Sequence, residues 1–165
     1  MSTYSRLMLD FLPTASDAEC MVFVCTSNFD ANKEVLQWMV SQAQCPGSVA
    51  LATYWYMDPD FFSSYTADTI DEWARDDFNM MRLIESNSES GFYKSSKIGF
   101  DPRADPIADE DWVDEHAAEG NDNIPAHMFL PIPGQLLTNE DIPEGWDNGM
   151  PPHIVEAVWK ELDEE

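Results

Sequence analysis

The chain has 165 residues and is strongly acidic, since 32 Asp and Glu stand against eight Lys and Arg, a formal net charge of −24. A field of this sign repels nucleic-acid phosphates and anionic lipid headgroups, which excludes direct binding to either. It favours a basic protein or a metal ion as partner. Hydrophobic residues make up 44% of the chain, enough for a folded core, so the acidity does not indicate disorder.

The sequence also indicates where the protein works. No apolar run approaches the roughly 20 residues that span a bilayer, and the first residues, MSTYSRLMLD, lack the apolar stretch of a secretory signal. The three cysteines, Cys20, Cys25 and Cys45, are odd in number and lack metal-ligand spacing. We therefore expect reduced, mostly buried thiols in a cytoplasmic protein that has no cofactor and no membrane contact.

Composition divides the chain near residue 100, because eight of the eleven prolines follow that point. We expect a single domain, 1–165, that is mainly α. It comprises a compact helical core over 1–100, an acidic, proline-rich and mostly irregular belt over 101–150, and a C-terminal helix over 151–165.

Caps and apolar spacing predict the first helices. Residues 3–12 form a short helix that Pro13 ends. A capping box over residues 16–19 opens the second helix, because its Ser hydroxyl and Glu carboxylate can each accept a backbone N–H of the other residue. Asp30 is expected to cap the third helix, in which apolar residues recur at helical spacing: Val35, Leu36, Met39, Val40 and Ala43.

Two further helices are predicted before residue 90. Val49–Met57 is apolar nearly all round, which predicts a buried helix. A second capping box, over residues 69–72, is expected to open a helix that runs to about Glu85. Trp73 falls on the apolar stripe of that helix, which predicts that it lies in the core.

Turn residues organise the rest of the chain. Gly91 ends the helical part, and residues 92–100 are expected to form a strand or hairpin arm. Residues 109–116 are expected to form a short helix capped by Asp109. Pro152 suits the first turn of the terminal helix, whose predicted core face comprises Ile154, Val155, Val158, Trp159 and Leu162.

The helical part contains a run of short motifs, Asn28-Phe29-Asp30, Val35-Leu36 with Trp38, Cys45-Pro46-Gly47, Ala50-Leu51 and Tyr54-Trp55, then residues 91–94 and 97–102. This pattern resembles the bacterial domain-of-unknown-function family 4274 over roughly residues 16–102. It departs at Ala31-Asn32, where such domains tend to carry Asp-Gly, and at Ser48, where Thr is usual. The resemblance implies a compact helical domain and no particular reaction. By analogy, small acidic bacterial proteins of this kind resemble immunity proteins encoded beside toxins.

A dense acidic cluster in the belt is the candidate for a metal site: Asp105, Asp109, Asp111, Asp114, Glu115 and His116. A calcium loop needs alternate oxygen ligands, a central Gly and a closing Glu. Here Asp109-x-Asp111 is followed by Trp-Val with no Gly, so the pattern fails. We predict no metal site, and interpret the cluster as a solvated face or a partner surface.

No catalytic motif is present. Carboxylate pairs arise by chance among 32 acidic residues, and nothing marks one pair as buried. The cysteines and the three histidines, His116, His127 and His153, show no pattern that places a nucleophile beside a base. The seven glycines are scattered, so no phosphate-binding loop exists. We therefore predict that the protein is not an enzyme.

Trp112 and Trp146 differ from the other tryptophans because they lie in acidic, turn-rich chain. An aromatic ring among carboxylates is typical of an interface hot spot for a basic partner, and the alternative is that each ring pins a loop to the core. The predicted partner-binding residues are Asp105, Asp109, Glu110, Asp111, Trp112, Asp114, Glu115 and Trp146.

Four hypotheses for function follow. The leading one is an immunity or inhibitor protein that binds a basic bacterial toxin, such as a nuclease, through an acidic surface. The second is a DNA-mimic inhibitor of a nucleic-acid enzyme. The third is an enzyme or metal-dependent protein, which would need a bound ion or turnover. The fourth is a non-catalytic adaptor domain whose acidity serves only solubility.

Overall fold

Helices dominate the computed structural model, which describes residues 1–118 and 123–164, except for the side chains of 116–118. They make up 56% of it, and no strand forms within the described ranges, so the prediction of a mainly α fold is confirmed. None of these helices has the length and apolar character needed to cross a membrane. The helices are α1 (Thr3–Phe11), α2 (Asp17–Thr26), α3 (Lys33–Val40), α4 (Gly47–Tyr56), α5 (Pro59–Ser63), α6 (Arg75–Ser90), α7 (Trp112–Ala118) and α8 (Pro152–Glu164).

The central helix is α4, which packs against α2 on one side and α6 on another. It is apolar all round, as predicted, and Trp55 is fully buried. Two polar atoms inside this core have partners. The Tyr54 hydroxyl donates to Glu85 Oε2 over 2.7 Å, and Trp55 Nε1 donates to the Met128 carbonyl over 2.9 Å. The second bond ties the belt to the middle of the helical core.

Of the caps predicted for α2 and α3, the structure confirms only the first. The capping box of α2 is confirmed, with Glu19 N donating to Ser16 Oγ over 3.1 Å and Ser16 N donating to Glu19 Oε1 over 2.9 Å. The prediction that Asp30 caps α3 was wrong, because the N-cap is Asn32 and its side chain makes no capping bond.

The second predicted capping box was also wrong. Thr69 Oγ1 accepts from Thr66 N over 2.7 Å, so it closes a local turn and does not begin a helix. Residues 72–74 form a 3₁₀ turn, and α6 begins only at Arg75. The tighter turn changes which side chain faces inward. Ala74 is fully buried, whereas Trp73, predicted to lie in the core, is 73% exposed.

The terminal helix α8 packs against α1 and begins at Pro152, as predicted. Fewer of its residues face the core than the sequence pattern predicted. Ile154 is buried, but Trp159 and Leu162 are 55% and 57% exposed, so their prediction as core residues was wrong. The helix extends past the region it packs against, and its last turn faces solvent.

Residues 92–100 do not form the predicted strand or hairpin arm. They pair with the belt through single bridges, in which Phe100 N donates to the Ile132 carbonyl over 3.0 Å and Ile132 N donates back over 2.9 Å. Glycines let the two segments of the chain approach closely here. A Cβ on Gly99 would lie 2.6 Å from the Ile132 oxygen, a distance that excludes any larger residue.

The belt packs onto the helical core in its described part. Among its apolar side chains that pack against the core are those of Trp112, Phe129, Ile132, Leu137 and Trp146. At its far end Asn148 adopts a left-handed conformation with φ 49°. Its side-chain oxygen accepts from Asn28 N over 2.7 Å, and buried Asn32 donates to its carbonyl over 3.1 Å. The belt is therefore fastened to the loop between α2 and α3.

Candidate functional site

Asp105, one of the predicted partner-binding residues, is buried and only 4% exposed. Its carboxylate accepts from the Tyr56 hydroxyl over 2.7 Å and from Trp112 Nε1 over 3.3 Å. It also accepts from the backbone of Ile107 over 3.0 Å. Because the carboxylate is enclosed by these donors, Asp105 holds the chain together and presents no surface to a partner. This burial opposes the prediction that Asp105 contacts a partner.

The two belt tryptophans are partly buried, and each packs on a ring from another element. Trp112 lies 5.4 Å from the ring of Tyr56, centroid to centroid, and donates to Asp105. Trp146 packs edge-on to Phe11 at 6.3 Å. These contacts favour the interpretation that each ring pins a loop to the core. Their role as hot spots stays a prediction.

The remaining predicted contact residues form a surface that we call the acidic turn, and all five of its side chains are exposed. Asp109 is held in the left-handed region at φ 54°. The predicted cap of the short helix was two residues too early, because it is Asp111 Oδ1 that accepts from Asp114 N over 2.8 Å. The members of the acidic turn are Asp109, Glu110, Asp111, Asp114 and Glu115.

Metal binding has little support in this turn. No group of three or more His, Cys, Asp or Glu is arranged to hold an ion in the part of the chain that the structure describes. The side chain of His116, one of the metal candidates, lies outside the described residues.

A second surface, which was not predicted from the sequence, is a cleft of about 350 Å³ between α3, α5 and the start of α6. Trp73 forms one wall and lies 6.0 Å from Phe61, ring to ring. Phe29 and Tyr56 also line the cleft, in edge-on contact at 6.0 Å. The floor is apolar, made of the buried side chains of Leu36, Phe62 and Met80.

The rim of this cleft is charged. Asp30 and Asp58 are exposed at its edge, and Asp77 pairs with Lys33 over 2.9 Å. The hydrogen bond to Asp77 and the nearby carboxylate of Asp30 raise the pKa of Lys33 above its ordinary value, so it remains charged. We call this site the aromatic cleft, and its defining residues are Phe29, Asp30, Lys33, Tyr56, Asp58, Phe61, Trp73 and Asp77.

A signal for this cleft is present in the sequence. Phe61, Phe62, Tyr65 and Trp73 fall within thirteen residues, which run from the segment after the predicted helix Val49–Met57 into the start of the next predicted helix. Three of these aromatic residues lie in the connecting segment, which is more than a short link needs for anchoring. The helical period assigned Trp73 to the core, and this assignment concealed the pattern.

The cysteines lack the properties of nucleophiles. All three are free, and Cys20 and Cys45 are buried, as predicted. Burial raises the pKa of the Cys20 thiol to about 11 and that of Cys25 to about 12, and it raises the pKa of Cys45 as well. Thiols with raised pKa values stay protonated at neutral pH, which opposes nucleophilic chemistry.

Comparison with known families agrees with the resemblance predicted from the motifs. Residues 15–88 match the family described as "Domain of unknown function (DUF4274)". The match confirms the first part of the resemblance and stops before the later motifs at 91–102. No curated protein and no solved structure matches the chain significantly.

The DUF4274 match separates the two candidate surfaces. All residues of the aromatic cleft fall inside residues 15–88, whereas the acidic turn lies outside them. The aromatic cleft is thus formed entirely by the matched region. The acidic turn belongs to the belt, which packs on the matched region.

Proposed function

We propose that the protein is a non-catalytic inhibitor of the immunity type, which binds a basic protein through its acidic surface. The proposal is based on one observation, which is that basic residues balance only a small part of the negative charge of the protein. Of the eight Lys and Arg, four are in ion pairs with carboxylates in the described structure, and eight cations cannot balance the charge of 32 Asp and Glu.

The acidic turn is the part of this surface that fits the cleft of an enzyme. Its five carboxylates are exposed, and buried Asp105 at its base holds it to the core. Carboxylates at this density can occupy the positions that substrate phosphates take in a nuclease. The proposed partner is therefore a cationic bacterial toxin or effector with a phosphate-binding site, met in the cytoplasm.

Opposite charge gives the proposal a kinetic signature. Complementary fields steer encounter and raise association rates to about 10⁸–10⁹ M⁻¹s⁻¹ at low salt, and salt removes the effect. Association with the partner is thus expected to slow steeply as ionic strength rises, while dissociation changes less.

The first experiment is a pull-down at low ionic strength with the tagged full chain from its native cells, followed by mass spectrometry. One stoichiometric basic protein, released as salt rises, is the expected result. A toxin gene beside the gene for this chain would mark the immunity type, whereas a nucleic-acid enzyme encoded elsewhere would mark a DNA mimic. Recovery of no basic protein would overturn the proposal.

The second experiment tests the acidic turn with the purified partner. The triple variant D109N/D111N/D114N removes three charges and keeps the side-chain oxygen of residue 111 that caps α7. We expect association about tenfold slower at low salt and little change at high salt.

A matched control removes three exposed charges from α8: E156Q/E161Q/D163N. This variant has the same net charge as the first triple variant, so it isolates position from total charge. Equal slowing by both triple variants would show that only the overall field matters and that the acidic turn is not the contact surface.

A further inference from the structure

One wall of the aromatic cleft exposes more aromatic surface to water than is usual for a folded protein. Trp73 is 73% exposed and is supported by Phe61, which is 37% exposed and also packs on Tyr65 at 5.5 Å. Large aromatic side chains that remain in water, around an apolar floor, are typical of binding sites. The size of the cleft, about 350 Å³, is that of a site for a side chain or a small group.

The charges at the cleft decide what kind of group it fits. Among the described residues that line it, Asp30, Asp58 and Asp77 stand against one cation, Lys33. Lys33 pairs with Asp77 and also interacts with the nearby Asp30, so three carboxylates face one ammonium and the rim keeps an excess of negative charge. Asp58 sits in the left-handed region at φ 61°, and its side chain makes no capping bond to α5. The carboxylates of Asp30 and Asp58 thus face solvent with their acceptor oxygens available.

We infer that the aromatic cleft binds the guanidinium group of an arginine presented by a basic polypeptide. A guanidinium stacks on aromatic faces, donates in a planar fork to carboxylates and is weakly hydrated, so it suits a site that offers rings and carboxylates together. An ammonium suits this site less well, because its charge is compact and strongly hydrated.

Charge argues against the other occupants. An anionic ligand or an anionic membrane meets the repulsion of Asp30 and Asp58 as well as the whole-chain charge of −24. A second copy of this chain carries the same charge and is repelled equally. A neutral aromatic ligand would use the rings but not the carboxylates, and the experiment below separates it from arginine.

The inference deepens the proposed function, on which it rests, because it adds a second contact for the same basic partner. An arginine in the aromatic cleft anchors the partner to the DUF4274 region, while the acidic turn engages its cationic surface. Steering and anchoring are then carried out by different parts of the molecule.

The test titrates the full chain with acetyl-Gly-Arg-Gly-Arg-Gly-amide and follows the six tryptophan indole N–H signals by NMR. W73F identifies the Trp73 signal. We expect this signal to shift saturably with the arginine peptide. The same peptide with citrulline, which has the shape of arginine without its charge, is expected to produce little shift. A lysine peptide is expected to bind more weakly than the arginine peptide.

Two charge-matched variants locate the site. D30N/D58N is expected to weaken the arginine peptide about tenfold, because it removes the carboxylates beside the rings. D109N/D111N removes the same charge from the acidic turn and is expected to weaken binding about twofold or less. Equal weakening by both pairs would show a general field effect and overturn the inference.

Lys33 provides a test of opposite sign. K33M removes the cation of the cleft and frees Asp77, so it is expected to strengthen arginine-peptide binding about threefold. If the arginine and citrulline peptides bind with similar affinity, and K33M changes neither affinity, the cleft recognises a neutral group. Weaker binding of the arginine peptide to K33M would show that the carboxylates of the cleft do not hold the guanidinium. Either result, or a Trp73 signal that does not move, overturns the inference.

The inference and the proposed function fail in different ways. If a basic protein binds with salt-sensitive kinetics but W73A and D30N/D58N leave its affinity unchanged, the arginine anchor is wrong and the inhibitor proposal stands. If the peptide binds at Trp73 but no basic protein is recovered from cells, the proposed function fails and the aromatic cleft retains its chemistry.

Discussion

The aromatic cleft and the base of the acidic turn both place carboxylates beside aromatic rings, yet they use them in opposite ways. At the base of the turn, Asp105 is buried and accepts bonds from Tyr56 and Trp112. At the cleft, Asp58 and Trp73 remain in solvent. The comparison teaches that residue type does not distinguish a structural carboxylate from one that is available for binding. Burial and the donors around it do.

Tyr56 belongs to both regions. Its ring lines the cleft beside Phe29, and its hydroxyl donates to Asp105 across the boundary with the belt. Burial and the contact with Asp105 raise the pKa of this tyrosine, which stays protonated as a donor. One side chain thus contributes its ring to the cleft and its hydroxyl to the attachment of the belt.

The largest expected effect comes from removing the buried carboxylate. D105A leaves the Tyr56 hydroxyl and the Trp112 indole N–H without their acceptor, and we expect the free energy of unfolding to fall by about 3 kcal/mol. Urea denaturation measures it. E110A, an exposed neighbour, is the control and is expected to change stability by about 0.5 kcal/mol or less. Similar small losses in both variants would contradict the structural role of Asp105.

A smaller effect is expected from Y56F. This change deletes the hydroxyl that donates to Asp105 and keeps the ring in the cleft wall. The free energy of unfolding is expected to fall by about 1–2 kcal/mol, and the affinity for the arginine peptide is expected to stay the same. A loss of peptide affinity as large as that of D30N/D58N would show that the two regions cannot be separated.

A third prediction concerns pH and uses an ion pair outside both regions. Partial burial alone would raise the pKa of Asp17, but hydrogen bonds from Lys94 and Ser96, over 2.7 Å each, hold it below its ordinary value. A lowered folded-state pKa stabilises the protein above the unfolded pKa of about 3.9, and this contribution disappears as the pH falls through the folded-state value.

D17N therefore tests the sign of this contribution. At neutral pH it is expected to lower stability by less than about 1 kcal/mol, because solvent screens a partly exposed pair. The difference from the parent chain is expected to shrink as the pH falls below about 4. Urea denaturation across this pH range measures it, and a difference that grows at acidic pH would contradict the assignment.

The smallest stability effect is expected at the cleft wall. Because Trp73 is 73% exposed, W73A is expected to change the free energy of unfolding by about 0.5 kcal/mol or less, although it removes a large ring. Thermal denaturation measures it. A loss of about 3 kcal/mol or more, typical of a buried tryptophan, would show that the ring is part of the core.

Sequence reasoning found most of the fold where local rules govern it. The capping box at Ser16 and the all-round apolar pattern of α4 were both confirmed. It failed where two local rules competed, since the Thr69 hydroxyl closed a turn with Thr66 and a 3₁₀ turn delayed α6. Because α6 begins later than predicted, Ala74 faces the core and Trp73 faces solvent.

The candidate surfaces divide in the same way. The acidic turn was visible in the sequence because charge density is a local property, and its five exposed carboxylates lie where the pattern placed them. Only the aromatic run over residues 61–73 was visible for the aromatic cleft, because its other rings come from elsewhere in the chain, Phe29 from the loop before α3 and Tyr56 from the end of α4. No spacing rule relates residues so far apart in the chain.

The charge, the helical class and the positions of most helices depend on composition and on bonds between near neighbours, so they could be predicted from the sequence. Tertiary structure alone decided that Asp105 is buried while Asp58 is exposed, and that Trp55 lies in the core while Trp73 forms a wall. Burial depends on which distant segments pack over a residue, and that packing is settled only when the whole chain folds.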